Sequence, residues 1–317
     1  MEIVISEFMD KSIIDNTHSK IKLLYDPDLV DNRDRLKKVL SKAKALVVRN
    51  RTQVDRELLD AAPHLAVVGR LGVGLDNIDI EECRKRGIAV YPATGANAVA
   101  VAEYVICSMM MLIRKAYSSK PQMLGGEWPR NQLIGNETSG KTLGLLGFGG
   151  IAKETASRAI ALGMRVIAFD PYLPKEDPSW EQVIRIENQA ELLRQSDVIS
   201  LHVPLSKTTY HLINADSISQ MKSGAIVINT ARGGIVDEKA LVKALTSGRL
   251  GGAALDVFET EPLDEETASS FSTISNLILT PHIAGVTIES NVRVSRMTID
   301  KVCNALEAAK CQKNTLP

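Results

Sequence analysis

The sequence predicts an α/β protein built from two Rossmann-like parallel-sheet domains with a cleft between them. Three observations predict it. Short apolar runs alternate with charged, helix-compatible stretches, a rhythm that implies parallel strands joined by helices. The rhythm runs through a first series and then a second, cleaner one. Each apolar run of the second series ends in a polar or glycine-containing cluster, and the carboxyl ends of strands are where open α/β sheets bind ligands. The length of 317 residues fits two domains, since one domain takes roughly 100–200 residues. A hydrophobic content of 44% is enough for substantial cores.

In the first series EIVIS near position 3, KIKLLYD near 22, ALVVRN near 45, LAVVGRLG near 65 and GIAVYPA near 88 read as short buried strands. DNRDRLKKVLSKA is one of the helical stretches between them. From Ala98 to Tyr117 the chain is apolar nearly all round, which predicts a buried helix whose methionines serve packing. The loop LGGEWPRNQLIGNETSG leads into the second series, with strands TLGLLGFG, RVIAFD, DVISLHVP, AIVINTA, AALDVF and LILTPHIA.

Several function classes are disfavoured. Lys and Arg number 38 and Asp and Glu 38, so the basic excess of a nucleic-acid binder is missing. No apolar run approaches the ~20 residues that span a bilayer. The start, MEIVISEFMDKS, lacks the basic and apolar regions of a signal peptide. Cys83, Cys107, Cys303 and Cys311 form no C-x-x-C and read as reduced thiols, with no metal site. The expectation is a cytoplasmic protein.

The sharpest motif is Gly147-Phe148-Gly149-Gly150-Ile151-Ala152, which follows an apolar strand and opens a helix over Ala152 to Leu162. Gly147 permits a tight turn, Gly149 lets backbone approach a pyrophosphate, and small Ala152 lets helix and strand pack closely. Asp170 ends the next strand, 23 residues after Gly147. A carboxylate about 20 residues on suits the adenosine ribose and repels a 2′-phosphate, which favours NAD. Lys175 is the one nearby cation that softens this preference.

Three residues stand at later strand ends: Arg232 after AIVI, Glu261 after AALDVF and His282 after LILT. Carbonyl reduction needs a proton donor near neutrality, which histidine supplies. A carboxylate behind it fixes its orientation and stabilises imidazolium, and a guanidinium grips a substrate carboxylate. Singly, each has an ordinary reading as a structural histidine, a surface arginine or a loop acid. Their joint occurrence beside a dinucleotide motif points to hydride transfer.

Seven stretches carry a resemblance: GRLGVGLDNID (69–79), NAVAVAEY (97–104), GKTLGLLGFGGIA (140–152), HVPLSKTT (202–209), NTARGGIVDEKAL (229–241), GGAALDVFETEP (251–262) and LTPHIAG (279–285). Together they resemble the D-isomer-specific 2-hydroxyacid dehydrogenase family, most closely its phosphoglycerate dehydrogenase-like branch. The resemblance implies that Arg232, Glu261 and His282 are the catalytic triad. It implies that the backbone of Leu71, Gly72, Val73 and Gly74 holds the substrate carboxylate and that Asp256 binds the nicotinamide carboxamide. Thr209, with the backbone at His202 to Pro204 and at Thr230 and Ala231, would line the NAD. Gly150, Ile151 and Gly285, together with Arg232 and His282, complete the cofactor set. A discontinuous substrate domain is implied over residues 1–98 and 288–317, with the cofactor domain over 99–287. The long apolar helix and its following loop are implied in a homodimer interface. Control by the serine-binding regulatory domain of some phosphoglycerate dehydrogenases is expected to be absent. Leu71 and Ala98 depart from the small and hydroxyl residues common at their positions.

Arg49, Arg51 and Arg70 also fall at apparent strand ends. One carboxylate does not need them all, so a second anionic group is expected on the substrate, of the 3-phosphoglycerate or sulfolactate type. In the phosphoglycerate branch the positions matching Arg49 and Arg70 help hold a phosphate. The opposing reading pairs these arginines with acids such as Asp55 or Asp76. Two alternative functions share the fold: an NAD-sensing corepressor-type binding protein and a phosphite dehydrogenase. A formate dehydrogenase would carry glutamine where Glu261 stands.

Overall fold

The computed structural model describes residues 2–18 and 21–314. The chain divides into two compact units, Met1–Asn97 with Val286–Pro317, and Ala98–Gly285. The first unit holds a five-stranded parallel sheet of β1 (Ile3–Ile5), β2 (Leu23–Tyr25), β3 (Ala45–Val48), β4 (Val67–Arg70) and β5 (Ala89–Pro92). Its order is β2-β1-β3-β4-β5. Both faces are covered, which is why these strands read as continuous apolar runs. Ile3, Ile5, Val47 and Val67 pack on Met9 and on Val294, Ile299 and Val302 of the helix Ile288–Asn314. Val4, Leu46, Val48 and Val68 pack on Leu36, Leu40, Leu58 and Leu59 from the opposite face. Gly69 is required where the C-terminal helix crosses β4, since a Cβ there would lie 2.6 Å from the Val302 side chain.

The second unit holds a seven-stranded parallel sheet: β6 (Thr142–Leu146), β7 (Arg165–Phe169), β8 (Ile184–Arg185), β9 (Val198–Leu201), β10 (Ala225–Asn229), β11 (Leu250–Leu255) and β12 (Leu277–Leu279). The order is β12-β11-β10-β9-β6-β7-β8. In each sheet the chain leaves a central strand to one side and later returns on the other. The strand order therefore reverses between β1 and β3 in the first sheet and between β6 and β9 in the second. Such reversals open a crevice at the carboxyl ends of the strands.

Two expectations are corrected. The helix expected over Ala98 to Tyr117 ends at Arg114, where left-handed Lys115 (φ 56°) breaks it ahead of a short 3-10 turn. Nor is it buried all round. Val101, Val105, Met109 and Leu112 face the core, while Glu103, Cys107, Met111 and Arg114 form an exposed stripe at helical spacing. The two-residue strand β8 carried no legible signal. Among the described residues no helix is long and apolar enough to cross a membrane, and no cluster of His, Cys, Asp and Glu could hold a metal ion. Cys311 has a side chain outside the described set.

Candidate active site

At the crevice of the second sheet, Gly147 turns the chain out of β6 with φ 85°. A Cβ there would lie 2.5 Å from the carbonyl oxygen of His202, the residue that follows β9. Only glycine lets these two strand ends come so close. Gly149 then caps the helix Gly150–Ala161 without any side-chain hydrogen bond to its first-turn amides. A Cβ on Gly149 or Gly150 would meet nothing within 4 Å, so the amides open onto free space. Ile151 stands in the first helical turn, and Ala152 is fully buried beneath it. The helix start thus offers unsatisfied donors and a positive dipole end to an anion.

Asp170 follows β7 and turns back to this loop. Its Oδ2 accepts from the Phe148 amide at 2.8 Å, and its Oδ1 accepts from the Tyr172 and Leu173 amides at 2.9 and 3.2 Å. Lys175, the cation that would weaken NAD preference, is engaged by Glu187 at 3.2 Å. His202 bonds the Ser200 hydroxyl through Nε2 at 2.9 Å, and burial pushes its imidazole down to about 4. Thr209 closes its own exposed turn, donating to the Pro204 carbonyl at 2.6 Å and accepting from the Ser206 amide at 2.8 Å. The hydroxyl of Thr230, at the end of β10, is buried and has no hydrogen-bond partner. An orphaned buried hydroxyl costs free energy unless a ligand satisfies it. The open helix start and this hydroxyl both fit a dinucleotide.

Three neighbouring strands bring the remaining groups together. Arg232 follows β10, Glu261 follows β11 and His282 follows β12. Gly233 makes the first two approach possible, since a Cβ on it would lie 1.7 Å from the Phe258 carbonyl oxygen. Glu261 Oε1 accepts from the Phe258 amide at 3.1 Å, and its Oε2 lies 2.7 Å from His282 Nδ1. A carboxylate can only accept, so Nδ1 carries the proton and Nε2 is left to exchange one. His282 sits at φ 56°, a conformation held by its amide bonds to the Asp256 and Thr280 carbonyls at 2.8 and 3.0 Å. Arg232 donates to the Ala231 carbonyl at 2.6 Å, and Asn229 ties the same loop through the Arg232 carbonyl and the Ala231 amide.

Residues 106–284 match the model of the D-isomer-specific 2-hydroxyacid dehydrogenase NAD-binding domain. The chain belongs to the D-isomer-specific 2-hydroxyacid dehydrogenase family. It is an NAD-dependent oxidoreductase. An (S)-sulfolactate dehydrogenase of Chromohalobacter salexigens is 54% identical over 305 residues, covering 96% of this chain and 98% of that one. A hydroxypyruvate reductase of Thermotoga maritima is 41% identical, covering 86% and 88%. Among solved structures, a D-lactate dehydrogenase of Aquifex aeolicus in complex with NAD and lactic acid is 29% identical, with a TM-score of 0.83 over 98% of this chain and 97% of that one.

In this dehydrogenase Asp256 directly follows β11. It is 1% exposed. Its Oδ1 accepts from the Thr280 hydroxyl at 2.6 Å and the Ile283 amide at 2.8 Å, and its Oδ2 accepts from the Ala284 amide at 2.8 Å. It anchors the loop that carries His282 and leads to Gly285. Tyr104 extends the anchor, its hydroxyl lying 2.6 Å from that of Thr280. Neither Tyr104 nor Thr280 was singled out from the sequence, because each reads there as packing beside a louder motif.

The first-unit arginines separate. Arg51 pairs with Asp31 at the surface. Arg49 lies at the first sheet's own crevice, donating to Asn291 Oδ1 at 3.0 Å with its guanidinium 5.7 Å from the Phe8 ring centroid. Burial pulls its pKa downward, and the Glu7 charge opposes that shift. Arg70 ends the adjacent strand in register with Val48 and donates to the Leu71 carbonyl at 2.9 Å. Gly72 (φ 146°) admits it, because a Cβ there would lie 1.6 Å from the Arg70 Nη1. Asp55 is committed to Arg33 and to capping the helix Arg56–Asp60. The Leu71 side chain is 2% exposed and belongs to the first unit's core, which accounts for its size. Val73 is exposed and Gly74 half-buried.

Proposed function

We propose that this dehydrogenase interconverts a doubly anionic acid of the (S)-sulfolactate type and its 2-oxo acid. Arg232, Glu261 and His282 are its catalytic residues. NAD, when bound, supplies the hydride acceptor. In the oxidative direction His282 Nε2 takes the C2 hydroxyl proton as the C2 hydride leaves, and Glu261 carries the charge of the resulting imidazolium through Nδ1. In the reductive direction the same nitrogen returns the proton to the carbonyl oxygen. Arg232 orients the carboxylate and polarises the C2 oxygen, with backbone amides of Leu71 to Gly74 as further donors. Gly147, Gly149, Gly150, Ile151 and Asp170 hold the adenosine diphosphate half of the cofactor. His202, Pro204, Thr209, Thr230, Ala231, Asp256 and Gly285 serve the remainder, with Asp256 at the nicotinamide carboxamide.

One observation carries the substrate reading: Arg49 and Arg70 stand at adjacent strand ends, and Arg49 lies at a strand-order reversal. The C. salexigens relative supports it. The (S) label is consistent with a D-specific family. Sulfur outranks the carboxylate oxygens in priority, so replacing a methyl hydrogen of D-lactate by sulfonate inverts the descriptor without moving any bond. The test is kcat/KM for sulfolactate and 3-phosphoglycerate against lactate and glycerate, with Arg49→Ala alongside. Preference for a plain acid by the unmodified enzyme would overturn the reading.

We also infer a homodimer in the cytoplasm. Tyr117, Met123, Leu124, Trp128 and Ile134 are exposed within one stretch, continuous in sequence with the exposed helix stripe that ends at Arg114. Clustered apolar exposure of this kind suits a self-association surface. Light scattering of the wild type and of Leu124→Asp with Trp128→Ser tests it, a monomer in the wild type being the contrary result.

A further inference from the structure

Glu7 follows β1 at the first sheet's crevice, is 4% exposed, and has no place in the chemistry described above. Its carboxylate gathers four consecutive amides. Oε1 accepts from Arg49 at 2.8 Å and Thr52 at 2.9 Å; Oε2 accepts from Asn50 at 3.2 Å and Arg51 at 3.1 Å. A run of amides converging on one anion is the way proteins build phosphate-binding loops. Here the anion is a side chain, so the loop is closed to ligand and fixed. What projects from it is the Arg49 guanidinium. Phe8, next in sequence to Glu7, lies against that guanidinium, and Asn291 in the first turns of the C-terminal helix accepts from its Nη2.

We propose that Glu7 and Asn291 are positioning residues for the substrate's second anionic group: Glu7 fixes the backbone from which Arg49 projects, and Asn291 aims its guanidinium. The inference rests on the doubly anionic substrate reading. A guanidinium held in advance loses less entropy on binding than a free one, so its benefit appears in substrate affinity. Removing the hold raises KM for doubly anionic acids and leaves acids lacking the second charge nearly unaffected.

The experiment measures kcat and KM separately for sulfolactate and for glycerate in wild type, Glu7→Gln, Asn291→Ala and Arg49→Ala. Glu7→Gln keeps the volume and one acceptor oxygen but turns an NH2 toward two amides. Asn291→Ala alters a half-buried helix position and leaves the fold intact should Glu7→Gln lower it. The expected result is a KM for sulfolactate raised roughly tenfold in either variant, with kcat, glycerate kinetics and NAD affinity within about threefold of wild type. Equal losses on both acids in Asn291→Ala, or no loss on sulfolactate in either variant, overturns the proposal. If Arg49→Ala abolishes the preference for sulfolactate while Glu7→Gln and Asn291→Ala keep it, the substrate reading stands and the positioning role fails. If the wild type shows no preference, both fail together.

Discussion

The two sheets reverse strand order in the same way, yet their crevices are finished oppositely. In the second unit Gly147 and His202 close to a glycine's distance, and beyond them a helix start is left open, with no Cβ contact at Gly149 or Gly150. In the first unit the equivalent place is filled. Glu7 occupies the amides of residues 49–52 as a bound anion would. One crevice presents its backbone donors, and the other has them satisfied by a side chain. The difference teaches that the same topology can offer its backbone donors to a ligand or spend them on fixing a side chain.

The largest effect is expected where the open crevice meets the chemistry. His282→Ala should cut turnover at least about 100-fold, the scale of general acid–base catalysis, with NAD affinity nearly unchanged. Stopped-flow hydride transfer and a fluorescence titration with NADH separate the two quantities. Turnover within about tenfold of wild type would remove Nε2 from the proton transfer.

A paired substitution next divides the glycine motif. Gly147→Ala places a Cβ against a backbone carbonyl at a left-handed position and should destabilise the unit by about 2–4 kcal/mol. Gly149→Ala meets no atom and has an ordinary φ of −78°, so its melting point should stay near wild type while NAD binding weakens about tenfold or more. If both substitutions lower stability alike, the second crevice is not open in solution as it is in the structure.

The same two crevices mark what the sequence could reveal. The glycine motif, Asp170 and the trio Arg232, Glu261 and His282 were legible because each follows a local rule: a turn that only glycine permits, or a polar residue just past an apolar run. Arg49 and Arg70 were legible by that rule too, and Arg51 was misleading under it, since exposure beside Asp31 depends on the fold. Glu7 was invisible. Its partners lie more than forty residues away, and a buried acid looks like any loop acid until its four donors are known. Asp256 shows the same limit, because three hydrogen bonds to the His282 loop are a tertiary fact. The exposed stripe of the helix Ala98–Arg114 was hidden by its apolar composition, Cys107 and Met111 being as hydrophobic as their buried neighbours.

A smaller effect is expected at the rim of the open crevice. Asp170→Asn retains an acceptor for the loop amides and removes the charge expected to disfavour a 2′-phosphate. The ratio of kcat/KM for NAD over NADP should fall by about tenfold, chiefly through better use of NADP. An unchanged ratio would mean that discrimination lies elsewhere along the ribose, and that the carboxylate serves only the turn at Phe148 and Tyr172.

The smallest effect concerns whether the open crevice is also dry at its base. Desolvation pushes the His202 imidazole from its ordinary value of 6.5 down to about 4. The folded protein therefore holds His202 neutral where the unfolded chain would protonate it. Between pH 6.5 and 4 the unfolded state binds more protons, so stability rises with pH across that window and is flat above it. A shift of this size is worth at most about 3 kcal/mol, and partial exposure reduces it to roughly 1–2 kcal/mol. Urea unfolding of wild type and His202→Gln at pH 7.5 and pH 4.5 measures it. The variant should lose less stability than wild type on acidification, by that amount. Parallel losses would mean that water reaches the imidazole, and the base of the second crevice would then be wet, in contrast to the carboxylate-filled crevice of the first.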